Sequence, residues 1–450
     1  MQTNLFEKYN IPAPRYTSYP TVPFWQKEPP TQEEWVHNFK TTFQKNGTIS
    51  LYIHLPFCES MCTFCGCTKR ITKNHQVEHP YIEAVLKEWQ LYLSHFDKRP
   101  IIKELHLGGG TPTFFQPENL AYLINGIMEN ADRADDYEFG FEAHPDSTSD
   151  EHLETLYDLG FRRISIGVQD FDNEILKIIN RHQSYESVER VTLKAKELGY
   201  HSINFDLVFG LPLQTSAHID KTMQKVNILR PDRIAFYSYA HVPWVKPGQR
   251  AYSEADLPLG RAKRSLYEFG RQILEDSGYH EIGMDHFALS SDDLYKAKAG
   301  KHLHRNFMGY TPLHTDLMIG LGASSISDSL NAFVQNEKKI ETYQELINAG
   351  QFPIICGHLL NEEDQNIRLS ILQLMCQGKT NLDDTSLPDA TISEILLRLL
   401  PLEADNLVQI DAKEITVKPA GLPLIRNICM AFDMRMHRNV VPGKLFSQVV

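Results

Sequence analysis

The chain has 450 residues, 42% of them hydrophobic and 23% charged, which is the composition of a globular protein with a sizeable core. Its formal net charge of −12 argues against a protein that coats nucleic acid or an anionic membrane. No apolar run reaches the length of a membrane span, and the sparse cysteines are typical of a reducing compartment, so we expect a cytoplasmic protein. We also predict a monomer with no nucleic-acid or membrane partner.

The first segment, residues 1–47, has little regular pattern and is punctuated by prolines, so we predict an N-terminal arm. One phrase in this arm stands out, the run RYTSYP at residues 15–20. An arginine next to tyrosines suits a flat, anionic ligand. The ordinary alternative is a surface arm that packs on the main domain.

From residue 48 onward, strand patterns alternate with helical patterns along the chain. Right-handed crossovers between consecutive parallel strands curl such a sheet toward a barrel. Since the pattern has six strand–helix units rather than eight, we predict the α/β class and an incomplete (β/α)6 barrel that is open on one side. The six predicted strands are residues 49–55, 103–107, 137–142, 163–169, 202–208 and 233–239.

These strands alternate polar and apolar residues, whereas fully buried parallel strands are apolar on both faces. Alternation has a period of two, so one face of each strand packs under helices and the other face lines a polar lumen. A strand that faces bulk water shows the same pattern, but this is the less common case in such a fold. Barrel enzymes place their chemistry at the carboxyl ends of strands, which here carry His54, Glu142, Gln169 and Asp206.

The first predicted strand runs directly into a loop with three cysteines, Cys58, Cys62 and Cys65, in the spacing C-x3-C-x2-C. Three thiolates from one short loop can hold three irons of a cubane iron–sulfur cluster and leave the fourth iron open to a small molecule. Zinc usually takes two separated pairs of cysteines, and here the second pair is missing. Cys67 offers a fourth ligand only in a cramped arrangement, so the pattern favours a cluster over zinc.

A glycine run, Gly108 to Gly110 followed by Thr111, comes after the second strand and lets backbone N–H groups approach a ligand closely. By itself such a run is often only a tight turn. Polar and glycine-rich loops follow beyond residue 240, and we assign residues 48–355 to the main domain. Residues 356–450 have amphipathic helices and a hairpin around 408–417, which predicts a small, mainly helical or winged-helix-like C-terminal domain.

The cysteine spacing, with Phe64 directly before the third cysteine, resembles that of the radical S-adenosylmethionine (SAM) enzymes. The resemblance implies a 4Fe-4S cluster held by Cys58, Cys62 and Cys65, whose open iron binds SAM through its amino and carboxylate groups. One electron from the cluster then cleaves SAM into methionine and a 5′-deoxyadenosyl radical. In such a radical SAM barrel the glycine run contacts the methionine amino group of SAM.

Motifs along nearly the whole chain are similar, more specifically, to those of the oxygen-independent coproporphyrinogen III oxidases. Two features separate this family from its relatives, the haem chaperones and the haem-opening methyltransferase-like enzymes: Cys67 and the RYTSYP run. Thr68 departs from the asparagine that the family pattern leads us to expect. The motifs are residues 15–20, 65–67, 108–113, 167–171, 206–212, 283–288, 304–310 and 427–430.

The resemblance implies that two propionates of coproporphyrinogen III are oxidatively decarboxylated to vinyl groups, which gives protoporphyrinogen IX and carbon dioxide. The reaction consumes two SAM and needs an electron donor and a final electron acceptor, neither of which the sequence identifies. Two SAM molecules are implied in the site. The first would contact Tyr52, Gly109, Glu142 and Ile326, and the second Phe64, Gly110, Thr111, Gln169, Arg181, Asp206 and Ala240.

The four propionates of this substrate need cationic partners within an acidic protein. Our candidates are Arg15, Arg163 and Arg305, and a solvated surface arginine is the ordinary alternative for each.

As catalytic candidates we take Cys67, for a proton or radical role, and Tyr52 and His54 at the end of the first strand. A spare packing thiol is the alternative for Cys67. Two other functions stay open at this point: a haem chaperone or haem-modifying relative that keeps the cluster, and a zinc-stabilised barrel without redox chemistry.

Overall fold

A computed structural model describes residues 3–244, 246–439 and 446–448 of the chain. Its centre is a sheet of twelve strands, in which seven neighbouring strands run parallel and antiparallel strands extend both edges. In chain order the strands are β1 (Thr48–Leu55), β2 (Ile101–Gly109), β3 (Asp132–Ala143), β4 (Arg163–Gln169), β5 (Ser202–Phe209), β6 (Arg233–Ser238), β7 (Tyr279–Gly283), β8 (His286–Leu289), β9 (Met318–Leu321), β10 (Ile326–Asp328), β11 (Ala332–Asn336) and β12 (Ile354–Leu359).

The order across the sheet is β12-β11-β10-β9-β1-β2-β3-β4-β5-β6-β8-β7. Its two end strands do not pair with each other within the described residues, so the α/β barrel is incomplete, as predicted. All six predicted strands are present as β1 to β6. Beyond the six predicted strand–helix units, β9 adds a seventh parallel strand beside β1, and five antiparallel strands extend the two edges of the sheet.

Helices connect the strands and cover the outer face of the sheet. Longer helices such as α3 and α7 are amphipathic, which is why they bury one face and expose the other. The helices are α1 (Thr3–Tyr9), α2 (Gln32–Asn46), α3 (Glu78–Leu93), α4 (Pro117–Met128), α5 (Asp150–Asp158), α6 (Asn173–Ile178), α7 (Tyr185–Leu198), α8 (Ser216–Leu229), α9 (Arg261–Asp276), α10 (Asp293–Ala299), α11 (Ile340–Asn348), α12 (Glu362–Gln377), α13 (Asp389–Ala404), α14 (Ile425–Met430) and α15 (Met434–Arg438).

The predicted alternation along the strands separates the core from the lumen. In β1 the apolar residues Ile49, Leu51, Ile53 and Leu55 are fully buried in the hydrophobic core of the barrel, together with Tyr81, Val85 and Trp89 of α3. The polar residues between them belong to the opposite face. The sheet therefore has one apolar face under the helices and one polar face toward the lumen.

The parallel register brings the polar residues of neighbouring strands to the same level of the lumen. Tyr52 of β1 pairs with His106 of β2, and Glu142 of β3 pairs with Ser165 of β4. Asp206 of β5 pairs with Gly167 of β4. Residues that are far apart in the sequence therefore meet at the carboxyl ends of the strands.

The start of the N-terminal arm packs its tyrosines on the C-terminal region and also forms ion pairs with the main domain through Glu7 and Arg15. Tyr16 and Tyr19 belong to the hydrophobic cluster of that region, and the Tyr16 hydroxyl donates to Asp433 at 3.0 Å. Arg426 of α14 donates to the carbonyl of Pro14 at 3.0 Å. By contrast, α2 buries Trp35, Phe39 and Phe43 in the barrel core. The domain boundaries at residues 47/48 and 355/356 stay predictions.

The C-terminal region has the predicted helices α12 and α13 and the predicted hairpin, formed by Val408–Asp411 and Glu414–Val417. A third short strand, Lys379–Asn381, pairs with the hairpin to complete a small sheet. Among all described residues, no helix combines the length and the apolar character that crossing a membrane requires.

Candidate active site

A cavity of about 750 Å³ opens at the carboxyl ends of the central strands. Its walls come from the cysteine loop after β1, the glycine run after β2 and the ends of β3 to β6. Most of the residues that the sequence predicts for the site line this cavity. They are Cys58, Cys62, Phe64, Cys65, Cys67, Gly109, Gly110, Thr111, Glu142, Arg163, Gln169, Arg181, Asp206 and Ala240.

Each of the three sulfurs of the C-x3-C-x2-C motif lies beside a hydrogen-bond donor. The pairs are Thr111 Oγ1 with Cys58 Sγ (3.4 Å), Arg181 Nη1 with Cys62 Sγ (3.5 Å) and the backbone N–H of Cys67 with Cys65 Sγ (3.4 Å). Hydrogen bonds to the sulfurs stabilise thiolates and tune the reduction potential of an iron–sulfur cluster. The donor set therefore fits a cluster held on three corners.

Cys67 differs from the other cysteines of the loop. Its side chain is exposed within the cavity wall, whereas Cys58, Cys62 and Cys65 are half-buried. Cys67 contacts Cys65 through its backbone N–H. Its side chain also hydrogen-bonds to that of Cys65, so the thiol faces the cavity directly beside the Cys65 sulfur.

A hydrogen-bonded chain behind the cavity wall anchors the end of the cysteine loop. His54 Nε2 lies 2.9 Å from the Thr68 carbonyl, which can only accept, so Nε2 carries the proton. Burial lowers the pKa of His54, so the ring is neutral and its Nδ1 accepts from the Tyr52 hydroxyl at 3.0 Å. The tautomer of His54 is therefore fixed by its two partners, and the residue after Cys67 is tied to β1.

The glycine run is shaped by contact with the same histidine. Gly109 has a φ of +112°, and a Cβ atom there would lie 2.5 Å from the His54 ring, so only glycine fits. The backbone N–H of Gly109 donates to Glu142 Oε2 at 3.1 Å. Glu142 Oε1 in turn lies 3.7 Å from His106 Nε2. The ends of β1, β2 and β3 are thus locked together beside the cysteines.

Arg181 lies in another wall and is only 7% exposed. Its Nε donates to Gln183 Oε1 at 2.7 Å, and its Nη2 donates to the carbonyl of Gly167. These two partners are neutral, and no carboxylate of the described residues forms an ion pair with Arg181. Its charge is therefore shared only with the Cys62 sulfur and can also hold an anionic ligand. Gln169, at the end of β4, has a φ of +66°, a strained conformation that is common at functional sites.

Asp206 points into the lumen from β5. Its carboxylate accepts from the Ser165 hydroxyl at 2.8 Å and from the Asn204 amide at 2.9 Å. Burial raises the pKa of Asp206 to about 6, and the nearby charge of Glu142 acts in the same direction. The carboxylate is therefore ionised at neutral pH and can accept hydrogen bonds from a ligand.

Comparison with known proteins decides between the candidate functions. The sequence model of the radical SAM superfamily matches residues 52–226. The oxygen-independent coproporphyrinogen III oxidase from Pseudomonas aeruginosa is 36% identical to this chain, over 96% of the chain and 95% of its own length. The enzyme of the same name from Escherichia coli is 35% identical, over 99% of the chain and 98% of its own length. This chain belongs to the family of oxygen-independent coproporphyrinogen III oxidases.

The solved structures agree with this assignment. Coproporphyrinogen III oxidase from Escherichia coli, described as a radical SAM enzyme, has a TM-score of 0.88 at 35% identity, covering 94% of this chain and 98% of its own. As a member of the radical SAM superfamily the chain uses a 4Fe-4S cluster and SAM, so the alternative of a zinc-stabilised barrel is wrong. The predicted fold class and family are confirmed.

Some residues that the oxidase family implies do not line the cavity. Tyr52 and His54 lie directly behind it, beside the glycine run. Ile326, at the start of β10, packs near Trp25 and Phe333 in a small separate cluster.

The three candidate arginines of the oxidase site have different surroundings. Arg163 Nε lies 3.0 Å from Glu138 Oε1, so its charge is balanced within the floor of the cavity. Arg15 is paired with Asp285 at 2.5 Å beside a separate, small cavity. Arg305, by contrast, forms no ion pair among the described residues.

Arg305 is 7% exposed, and its Nε and Nη1 atoms are buried without a hydrogen-bond partner. Its guanidinium lies 4.6 Å from the ring centre of Tyr310, which lines the cavity. Burial and the charge of Arg305 lower the pKa of neighbouring His286 to about 4, so this histidine is neutral and does not balance the arginine. Burial of a cation without an anion costs folding free energy, and a ligand that supplies a negative charge offsets this cost.

The structure adds cavity residues that we did not single out from the sequence. His106 and Tyr237 follow the polar-apolar alternation of β2 and β6, so both could have been predicted to face the lumen from that pattern. Gln249 comes from a segment without periodicity, and nothing in the sequence marks it.

Proposed function

We propose that this protein catalyses the anaerobic oxidative decarboxylation of coproporphyrinogen III to protoporphyrinogen IX, with a 4Fe-4S cluster and SAM as cofactors. One observation carries the proposal: a single cavity has three cysteine sulfurs in one wall and a buried, unpartnered arginine, Arg305, behind another. The near full-length similarity to oxidases of this name supports the same reaction.

We assign Cys58, Cys62 and Cys65 as the protein ligands of the cluster, which leaves one iron for SAM. When bound, the cluster and SAM supply a carbon-centred radical that can abstract a hydrogen atom from a propionate. The part of the protein itself is to hold the three sulfurs, to orient the substrate and to exclude water. The three donors beside the sulfurs support this assignment.

We assign two SAM positions on the family pattern. Arg181, which has no ion-pair partner among the described residues, suits a methionine carboxylate, and the ionised Asp206 suits ribose hydroxyls. The residues for the first SAM are Tyr52, Gly109, Glu142 and Ile326. Those for the second are Phe64, Gly110, Thr111, Gln169, Arg181, Asp206 and Ala240.

We assign Arg305 as the main partner of a substrate propionate, because its Nε and Nη1 atoms have no hydrogen-bond partner and its guanidinium no carboxylate partner among the described residues. Arg15 and Arg163 are secondary partners, since each must share its charge with Asp285 or Glu138. Carboxylate binding by Arg305 would satisfy two buried N–H groups at once. One propionate of the substrate is thus held at Arg305.

For catalysis we assign Cys67 as a proton or hydrogen donor, because its thiol faces the cavity. Tyr52 and His54 support this role from behind. The His54 Nε2–H group holds the Thr68 carbonyl, which immediately follows Cys67. This contact fixes the loop that presents the thiol.

An anaerobic assay tests the function. Reconstituted protein, SAM, a one-electron reductant and an electron acceptor are mixed with coproporphyrinogen III, and the product mass is followed. We expect loss of two carbon dioxide equivalents and formation of a divinyl product. Stoichiometric haem binding without any vinyl product would instead assign the protein to the haem chaperones.

The substitution Cys67→Ser tests the assignment of the fourth cysteine. We expect an unchanged iron content, because Cys67 is outside the proposed ligand set, and a turnover reduced by about 10²-fold or more, the usual contribution of a proton donor. Iron analysis and product formation are measured on the same preparation. Loss of iron would mean that Cys67 is a ligand.

The pKa of Asp206 predicts a pH dependence of SAM binding. The ionised carboxylate is the better acceptor, so affinity should be full well above the pKa of about 6, and should fall by up to about tenfold per pH unit below this pKa. Equilibrium dialysis with labelled SAM on either side of pH 6 measures this. In Asp206→Asn the affinity for SAM should be low and should no longer depend on pH in this range. If this variant kept the pH profile of the unsubstituted protein, Asp206 would not be a SAM-binding residue.

A further inference from the structure

The segment that follows β6 folds back over the cysteine loop. Gln249 lies on a short helical turn, Pro247–Ala251, and its side chain is only 2% exposed. Next to it, a Cβ atom at Gly248 would lie 3.3 Å from the end of the Met61 side chain. The turn is therefore packed closely against the outer part of the cysteine loop.

The carboxamide of Gln249 joins three backbone groups from two segments. Its Nε2 donates to the carbonyls of Phe64 and Ala240, both at 3.1 Å. Its Oε1 accepts from the backbone N–H of Val242 at 2.6 Å. The carboxamide thus uses both of its N–H groups and one acceptor position of its oxygen, and a hydrocarbon side chain could replace none of these bonds.

The two bridged carbonyls belong to Phe64 and Ala240, which line the cavity from the cysteine loop and from the end of β6. Two other hydrogen bonds of the loop go to a different segment: the Asn180 amide donates to the Met61 carbonyl at 2.7 Å, and the Thr63 N–H donates to the Ile179 carbonyl at 3.0 Å. Among the described residues, the side chain of Gln249 alone bonds to both Phe64 and Ala240.

We propose that Gln249 is a positioning residue that sets the width of the second SAM site between Phe64 and Ala240. This inference rests on the proposed function, in which both residues contact the second SAM. Gln249 need not touch SAM itself. Its role is to keep the cysteine loop and the end of β6 at the spacing that the ligand requires.

The test uses two variants of the full-length, anaerobically reconstituted protein. Gln249→Met keeps the size of the side chain but removes all three hydrogen bonds. Gln249→Glu keeps an acceptor for Val242 and loses both donors. Gln373→Met is the matched control, because this half-buried glutamine of α12 accepts from Thr380 at 2.6 Å, far from the cysteine loop in the sequence.

Iron, sulfide and bound SAM are counted in each preparation, the last by equilibrium dialysis with labelled SAM. We expect both Gln249 variants to keep their iron and one tightly bound SAM, while the affinity for the second SAM falls about 10- to 100-fold, as for other supporting residues of a site. Gln373→Met should bind both molecules normally.

Two SAM bound with unchanged affinity in the Gln249 variants would overturn the inference. Loss of iron together with both SAM molecules would also overturn it, because Gln249 would then support the whole loop rather than one site. If the unsubstituted protein bound a single SAM, the assignment of two SAM sites would be wrong. The proposed role of Gln249 would then be wrong as well, because it depends on that assignment.

Discussion

Replacement of Cys62 by alanine should reduce the iron content from about four per chain to a trace and abolish turnover. Cys62 is the middle ligand of the proposed set, and its sulfur lies 3.5 Å from Arg181 Nη1. Two remaining thiolates cannot hold a cubane cluster on three corners. Iron and labile sulfide are measured after anaerobic reconstitution, and product formation is followed with SAM and reductant.

The matched control is Cys356→Ala. This cysteine is also half-buried and free, but it lies on β12 and contacts Gln335 rather than the cavity. We expect full iron content and normal turnover in the control. Full iron content in Cys62→Ala would refute the proposed ligand set, whatever the activity.

Replacement of Arg305 by methionine should have opposite effects on substrate binding and on stability. Truncation of a buried charge that pairs with a ligand costs about 2–5 kcal/mol, so the KM for coproporphyrinogen should rise by at least ~30-fold. The substrate-free protein should be as stable as before or more stable, because an unpaired buried cation is removed. Thermal unfolding and steady-state kinetics measure the two effects.

The control for this prediction is Arg261→Gln, which removes an exposed arginine paired with Glu7 at 2.7 Å. Its side chain is 65% exposed, so neither quantity should change appreciably. If Arg305→Met unfolded at a lower temperature and bound substrate normally, the arginine would stabilise the fold rather than bind the substrate.

Much of the barrel can be predicted from the sequence, because two simple periodicities carry the information. The apolar residues of β1 alternate with polar ones, and Tyr81, Val85 and Trp89 recur at helical spacing, so each pattern identifies its own element. The strands β8, β9 and β10 have only three or four residues each, which is too short to show a period. At β9 the strand Met318–Leu321 contains Gly320, whose missing Cβ permits contact with the Ile326 carbonyl, a reason for glycine that periodicity does not reveal.

The site divides in a similar way. The cysteines are identified by their spacing, and His54, Glu142 and Asp206 by the alternation of the strands that carry them. The state of Arg305 could not be predicted, because the lack of a partner is a property of the whole fold. The role of Gln249 could not be predicted for a related reason. Its side chain bonds to backbone carbonyls, one of them 185 residues away, and no side-chain pattern in the sequence indicates such bonds.

Electron paramagnetic resonance of the reduced, oxygen-free protein tests most directly whether the cluster has an open iron. We expect the signal of a reduced 4Fe-4S cluster, and we expect this signal to change when SAM is added, because SAM binds the iron that no cysteine occupies. A cluster signal that SAM leaves unchanged would show four protein ligands. That result, or the absence of any iron signal, would contradict the account of this site.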